Sequence, residues 1–135
     1  MEILRSARPT QNGPDGWFTG PVYLEPLTDP KGEWRIGAAL VRFAPGSRTH
    51  WHTHPHGQLL WVVSGVGRCQ TEGGPVREIR AGDLVWFEAE ENHWHGANPD
   101  QFMCHVAIQQ SDPSGKVADW GRPVTEEEYR QAIEG

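Results

Sequence analysis

The stretch GSRTHWHTHPHGQLLWVVSG, residues 46–65, decides how the rest of the sequence can be interpreted. Its centre holds four of the chain's seven histidines. A β-strand sends alternate side chains to opposite faces, so His52 and His54 point to the same side. Pro55 and Gly57 then end the strand, and Gln58 opens the next one. The stretch therefore predicts a turn at which the amide oxygen of Gln58 comes back toward two imidazoles.

Glycine and proline divide the whole chain in the same manner. There are 16 glycines and 11 prolines in 135 residues, and short runs rich in Val, Ile, Trp and Phe lie between them. This rhythm is typical of an antiparallel sandwich or barrel. It predicts strands at 34–43, 48–54, 58–64, 67–71, 76–79, 84–89 and 102–109, with one or two more in 17–27 and a bend at 90–93.

The length fits one domain with one core. We divide residues 1–135 into an N-terminal arm (1–16), a barrel (17–110) and a tail (111–135). In the tail, Thr125 followed by Glu128 matches a capping box, and an apolar stripe follows it. This pattern predicts a short helix over 126–134.

Charge and composition exclude several classes of function. The net charge is −6, and no segment gathers Lys and Arg on one face, so neither nucleic acid nor an anionic membrane is an expected partner. No apolar run is long enough to span a bilayer, and the first residues lack the apolar core of a signal peptide. Cys69 and Cys104 are spaced for neither a zinc site nor a redox pair, so we expect two buried thiols. These features predict a cytoplasmic protein that acts on a small molecule.

A third imidazole completes a candidate metal site. His93 stands at the end of the 84–89 strand and its bend, and together with His52, His54 and Gln58 it offers three imidazoles and one amide oxygen. Such a set suits one divalent ion. An isolated histidine-rich string is equally typical of an exposed turn, and we interpret His50 and His56 as rim or surface residues.

The spacing of these residues resembles the two motifs of the cupin family. The first motif is glycine, His-x-His, usually glutamate, and glycine, and the matching positions here are Gly46, His52, His54, Gln58 and Gly65. The second motif is glycine, Pro-x-Gly and histidine, matched by Gly82, Glu88, Glu90 and His93. Glu88 and Glu90 stand where proline and glycine are usual. The resemblance implies an all-β, cupin-type jelly-roll β-barrel with a short C-terminal helix, and a metal held by His52, His54, Gln58 and His93.

A narrower resemblance concerns activity. The segments WFTG, HTHPHGQ, EGG, GDLVWF, HWHGA and HVAIQ resemble, in order, small bacterial single-domain cupins that include manganese-dependent hydroxynitrile lyases. This resemblance implies one divalent ion per chain, with manganese first and Fe, Co, Ni or Zn as alternatives. It also implies cleavage or formation of cyanohydrins. A neutral glutamine in place of glutamate leaves the ion more Lewis-acidic, which favours such chemistry over oxygen activation.

Strand alternation selects a candidate general base. On 102–109, His105 shares a face with Met103, Ala107 and Gln109, and the more apolar opposite face is expected to pack outward. We therefore expect His105 inside the barrel mouth as a general base, although a hydrogen-bonded core histidine fits the same pattern. The resemblance places Ala39, Val41 and Gln109 in the substrate pocket. We count His95 with these pocket residues, beside the metal or at the rim, although a purely structural role fits it equally well.

Other functions and an assembled state stay open at this stage. Another metal enzyme of the same family, such as a dioxygenase, isomerase or decarboxylase, or a binding protein without turnover, would carry the same motifs. Edge strands and a tryptophan-rich outer face predict a homodimer or homotetramer. Most of Trp51, Trp61, Trp86 and Trp94 are expected in packing, with one or two walling the pocket.

Overall fold

The fold, given by a computed structural model, is a curled sheet made almost entirely of strands. The structure describes residues 1–5 and 8–134. In this described part, twelve strands precede one helical turn. The elements are β1 (Gln11–Asn12), β2 (Phe18–Thr19), β3 (Val22–Thr28), β4 (Ile36–Phe43), β5 (Arg48–Thr49), β6 (His52–Thr53), β7 (Gln58–Thr71), β8 (Arg77–Arg80), β9 (Leu84–Phe87), β10 (His93–Ala97), β11 (Met103–Gln110), β12 (Asp119–Trp120) and α1 (Glu126–Tyr129). The barrel expected from the sequence is confirmed. No helix among the described residues is long and apolar enough to cross a membrane.

Strand β7 joins the two halves of the barrel. Its first half pairs with β9 and β11, and its second half pairs with β8 and β10, so a single strand belongs to both sheets. The sequence predicted two separate strands here, because Gly65 and Gly67 interrupt the apolar run. The structure instead bends one strand at Gly65, where φ is +81° and an added Cβ would collide with the carbonyl oxygen of Phe102. Glycine at this position permits both the bend and the close approach.

The core lies between the two sheets. Phe43, Leu60, Val62 and Met103 are each at most 1% exposed and belong to one cluster of buried residues. Val41 and Ala107 extend this cluster toward one end of the barrel, where a cavity opens. The apolar, inward-facing side chains of β4, β7 and β11 therefore pack directly beside the polar residues that line the cavity.

Strand β10 is absent from the sequence-based prediction, which placed a bend at 90–93 and no strand after it. In the structure every residue of β10 is buried, and it pairs with β5, β6 and β7. Its residues, HWHGA, include only one type that strands favour, and its partners are distant in sequence. Tertiary pairing, not local propensity, makes this segment a strand. Strands β1 and β12 likewise add pairs to segments expected as arm and tail.

The tail helix is shorter than expected. The capping box at Thr125 and Glu128 is present, but α1 covers Glu126–Tyr129, not 126–134. The helix ends at Tyr129, whose ring is buried against Trp94. The following residues turn toward the barrel, where the backbone N–H of Glu134 donates to the carbonyl oxygen of Val76. The helical turn thus serves to place one aromatic side chain in a second, smaller core on the outside of the barrel.

Glu90 is the one non-glycine residue of the described chain with a positive φ, at +62°. It stands where the family motif has glycine. A left-handed conformation costs a residue with a Cβ about 1–2 kcal/mol, and part of this is offset by the lower unfolded-state entropy of glutamate. We expect Glu90→Gly to stabilise the fold by about 0.5–1 kcal/mol in urea unfolding. Glu88→Gly, two residues earlier and without a positive φ, should destabilise it, and equal effects of the two variants would contradict this explanation.

Tyr129 anchors the second core through its hydroxyl group. The ring is fully buried, Arg48 and Arg68 lie over it at 4.4 Å and 5.3 Å, and the O–H donates to the carbonyl oxygen of Ala97 at 2.5 Å. Tyr129→Phe removes one buried hydrogen bond and should cost about 1–2 kcal/mol. Tyr129→Ala also removes the ring and should cost about 3–5 kcal/mol. Thermal or urea unfolding measures both, and a tolerated Tyr129→Ala would show that the helix does not stabilise the barrel.

Candidate functional site

Three histidines meet at one end of the barrel because β6 pairs with β10. The register sets His52 directly opposite His93, and their ring centroids are 4.3 Å apart. His54 follows two residues later on the same side, 5.0 Å from His52 and 5.5 Å from His93 between ring centroids. All three side chains are buried. The alternation inferred from the sequence thus brings the three predicted imidazoles together.

The amide of Gln58 lies among these rings. Its Oε1 is 3.1 Å from Nε2 of His93, and its side chain also contacts His52 and His54. Its Nε2 donates to Oε1 of Gln109 at 3.1 Å, which directs the oxygen of Gln58 toward the imidazoles. All four predicted ligands are therefore neighbours.

Backbone carbonyls fix which ring nitrogen of each histidine carries the proton. Nδ1 of His52 lies 2.8 Å from the oxygen of His50, Nδ1 of His54 lies 2.7 Å from that of Val117, and Nδ1 of His93 lies 2.8 Å from that of Glu91. A carbonyl can only accept, so each Nδ1 is protonated and each Nε2 keeps its lone pair. Metal-binding histidines are held in the same manner.

This arrangement fits a cation. Nε2 of His93 and Oε1 of Gln58 both present lone pairs at 3.1 Å, and Nε2 of His54 is buried without a hydrogen-bond partner. A second proton, on Nε2 of His93, could be donated to Oε1 of Gln58 and would remove this contact between lone pairs. Burial, however, lowers the pKa of His93 to about 3. Burial, followed by the charges of His93 and His54, also holds the pKa of His52 well below its usual value. A metal ion satisfies the same lone pairs without protonating an imidazole.

His95 is a further neighbour of this group. One ligand atom each of His52, His93 and His95 lies within 4.8 Å of the other two, so these three histidines could hold a metal ion. This trio shares two members with the predicted set and contains His95 in place of His54. Nε2 of His95 is also buried without a partner. The set His52, His54, Gln58 and His93 stays a prediction, with His95 as an additional candidate.

His105 forms a buried pair with His95. Its Nε2 lies 3.1 Å from Nδ1 of His95, so the two rings share one hydrogen bond, and Nδ1 of His105 has no partner. Burial lowers the pKa of His105 to about 3. Phe43 packs on the same ring, with centroids 5.3 Å apart. His105 is thus a neutral imidazole with one ring nitrogen unused.

These residues surround a cavity of about 420 Å³. The expected pocket residues Ala39, Val41, His95 and Gln109 all line it, as does His105. His52, His54 and Gln58 line the same space. The structure therefore brings the candidate ligands, the candidate base and the candidate pocket residues together in one site.

Residues that the sequence analysis missed form another wall. Trp17, Phe18, Leu24 and Trp120 line the cavity. Trp120 stacks on Trp17 at 5.1 Å and on His52 at 4.4 Å between ring centroids. Two of these residues come from short strands at the two ends of the chain, where no alternation pointed to a pocket. The pairing of β12 with β6, which sets Trp120 opposite His52, is the feature that places that ring.

Two expectations about aromatic residues are wrong. None of the four tryptophans expected beside the metal motifs lines the cavity. Trp51 and Trp94 belong to the second core, and Trp61 and Trp86 are 50% and 59% exposed on the outer surface. His50, expected at the rim, is also buried, because its backbone binds both Trp17 and the ring of His52. His56 is exposed, and Cys69 and Cys104 are free buried thiols, as expected.

Comparison with known proteins gives related sequences and structures. The cupin domain model matches residues 39–108. The chain is 48% identical over 97% of its length to the whole of an (R)-mandelonitrile lyase of Granulicella tundricola. A cupin-like protein of Thermotoga maritima has a TM-score of 0.86 at 41% identity, covering 98% of this chain and 99% of the other. A cupin-2 domain of Rhodospirillum rubrum has a TM-score of 0.71 at 14% identity, covering 95% and 82%, and this likeness shows the fold alone.

The matched segment contains β5 to β10 and the larger part of β4 and β11, and with them both motifs of the sequence. The relatives extend the similarity over almost the whole chain. The chain belongs to the cupin family.

Proposed function

We propose that this protein is a divalent-metal-dependent lyase of the hydroxynitrile-lyase type, which cleaves or forms cyanohydrins. The observation that carries this proposal is one cavity that joins the histidine cluster around Gln58 to the buried His95–His105 pair. The relative at 48% identity is named an (R)-mandelonitrile lyase. The cavity is large enough for a small aryl or alkyl cyanohydrin, and aromatic and aliphatic side chains form most of its wall.

The metal would be held by His52, His54, Gln58 and His93, with manganese as the first choice and Fe, Co, Ni or Zn as alternatives. Three imidazoles and an amide add no negative charge. When bound, a divalent ion among these groups supplies Lewis-acid stabilisation of the negative charge that develops in the reaction. His52 is held in place by the His50 carbonyl and by Trp120, so its Nε2 is ready for a ligand bond without rearrangement.

His105 would move the proton. In cleavage, the hydroxyl proton of the cyanohydrin passes to the ring of His105, the bond between the carbinol carbon and the nitrile carbon breaks, and its electron pair leaves with cyanide. Cyanide then takes the proton back from His105, and a carbonyl compound and hydrogen cyanide are released. His95, hydrogen-bonded to His105, fixes its ring and shares the transient positive charge. Val41, opposite His105 in the strand register, and Ala107 give the cavity apolar walls near this residue.

Removing the base tests its role. We expect His105→Ala to lower kcat for release of benzaldehyde from mandelonitrile by about 10²–10⁴-fold, because no other group then accepts the hydroxyl proton. Metal content, measured by elemental analysis of the same sample, should not change. His56→Ala, on an exposed histidine of the same stretch, is the matched control and should keep wild-type turnover. Wild-type turnover in His105→Ala would overturn the assignment.

Removing a metal ligand should have a different effect from removing the base. His52→Ala should lose metal and turnover together, because it deletes one imidazole and the ring on which Trp120 stacks. The wild-type protein should gain thermal stability on addition of Mn²⁺, since binding to the folded state alone raises its free energy of unfolding. His52→Ala should show no such gain. Full metal content in this variant would place the ion elsewhere.

The same assays distinguish the alternatives. Oxygen consumption by the metal-loaded protein would indicate a dioxygenase. Metal binding with no cleavage by any of the Mn, Fe, Co, Ni or Zn forms would reject the lyase and favour a binding protein or another cupin enzyme.

A further inference from the structure

The segment between β11 and β12 lies at the opening of the cavity. We call its residues 112–118 the strap. Gly115, Lys116, Val117 and Ala118 line the cavity, and the first three of them are also exposed to solvent. A residue that borders both the cavity and the solvent stands at the opening. The strap therefore covers part of the entrance through which a small molecule would reach the histidines.

One carboxylate and one glycine set the shape of the strap. Oδ1 of Asp112 accepts from the backbone N–H groups of Ser114 and Lys116 at 2.9 Å each, and from the hydroxyl group of Ser114 at 2.6 Å. The backbone N–H of Asp112 donates to the carbonyl oxygen of Lys116 at 2.8 Å. Gly115 has a φ of +91°, which this turn requires and which glycine adopts without strain.

Both ends of the strap are fixed to the barrel. The backbone N–H of Ser111 donates to the carbonyl oxygen of Arg35, and the guanidinium group of Arg35 donates to the carbonyl oxygen of Asp112 at 3.2 Å. At the other end, β12 pairs with β6 and sets Trp120 opposite His52. The ring of Trp120 stacks on that of His52. The segment that carries the strap therefore already contacts one predicted metal ligand.

The middle of the strap meets a second predicted ligand. The carbonyl oxygen of Val117 accepts a hydrogen bond from Nδ1 of His54 at 2.7 Å. The backbone of His54 is held separately, because its carbonyl oxygen accepts from the N–H of Glu90 at 2.9 Å. The strap thus acts on the ring of His54 and not on its backbone. Nε2 of the same ring is buried without a hydrogen-bond partner.

The two nitrogens of this ring connect the strap to a bound ion. A cation at Nε2 withdraws electron density from the imidazole and makes the Nδ1–H group a stronger donor to Val117. In the other direction, a closed strap keeps the proton on Nδ1 and leaves the lone pair on Nε2, which is the tautomer that binds a metal. Such a coupling is reciprocal, so the factor by which the ion favours closure equals the factor by which closure raises affinity for the ion.

We propose that the strap is a cover whose closure over the cavity is coupled to metal binding through the His54–Val117 hydrogen bond. Asp112 is the positioning residue that holds the strap in the closed shape. The cavity is then closed to water only in the metal-loaded protein. This inference rests on the metal site of the proposed function and not on the reaction.

Hydrogen exchange of the wild-type protein, with and without Mn²⁺, tests the coupling directly. Mn²⁺ should slow exchange of the backbone N–H groups of Ser114, Gly115 and Lys116 by about 5-fold or more, the lower end of typical coupling between two sites. Exchange of the N–H of Gly74, in the turn between β7 and β8, should not change. This measurement needs neither substrate nor turnover.

Variants of the strap test the reverse direction. Asp112→Ala removes the acceptor of three hydrogen bonds, and Gly115→Ala strains the strap at φ +91° with no atom within 4 Å of the added Cβ. Each should raise the dissociation constant for Mn²⁺, measured by calorimetry, by about 5-fold or more. Asp112→Asn keeps an acceptor oxygen and should bind Mn²⁺ more tightly than Asp112→Ala.

The matched control is Gly73→Ala. Gly73 has a φ of +83° and open space around the added Cβ, so the substitution causes a similar strain in the turn between β7 and β8. It should lower the stability of the metal-free protein about as much as Gly115→Ala, and it should keep wild-type affinity for Mn²⁺. Circular dichroism checks that each variant is folded.

The outcomes separate the coupling from the metal site. Wild-type protein that binds Mn²⁺ without slower exchange in the strap would overturn the coupling and leave the metal site in place. The same holds if folded Asp112→Ala and Gly115→Ala bind with wild-type affinity, or if Gly73→Ala weakens binding equally. Wild-type protein that binds none of Mn, Fe, Co, Ni and Zn would overturn both.

Discussion

The structure depends on one strand that belongs to both sheets. Strand β7 hydrogen-bonds to β9 and β11 before Gly65 and to β8 and β10 after it, so the bend at that glycine closes the sheet around a common core. The strand begins at Gln58, directly after the turn that carries His54. Its far end, at Thr71, lies opposite His93. The same strand therefore sets the shape of the barrel and the position of an amide among the histidines.

The site concentrates polar groups that the rest of the core avoids. His52, His54, His93, His95 and His105 are all buried, and burial is the largest cause of the lowered pKa of each. Carbonyl oxygens satisfy the Nδ1 atoms of three of them. Among the unpartnered buried atoms of the described chain, three are ring nitrogens of this cluster, on His54, His95 and His105. Such atoms cost stability unless a ligand meets them, which is the expected signature of a functional site.

Sequence predicted the features that depend on local alternation. The shared side of His52 and His54, and the inward face of His105, Ala107 and Gln109, follow from a period of two. Strand β10 was missed because HWHGA has weak strand propensity and its pairing with Arg48, His52 and Thr71 is non-local. The aromatic wall was missed for the same reason, since β12 brings Trp120 beside His52 from the C-terminal part of the chain. The capping box fixed the start of α1, while packing of Tyr129 ended it early.

The Gln58–Gln109 pair lies between the cavity and a shallow groove beside Trp86. On its inner side Oε1 of Gln58 meets the imidazoles, and on its outer side both amides border the groove beside Trp86. An amide can act as a fixed ligand only while its N–H₂ group is held, because rotation would exchange oxygen for nitrogen. Oε1 of Gln109 accepts from that group at 3.1 Å, so it holds Gln58 with its oxygen toward the imidazoles. Gln109 therefore acts on the candidate metal site through Gln58, from a strand that carries none of the four predicted ligands.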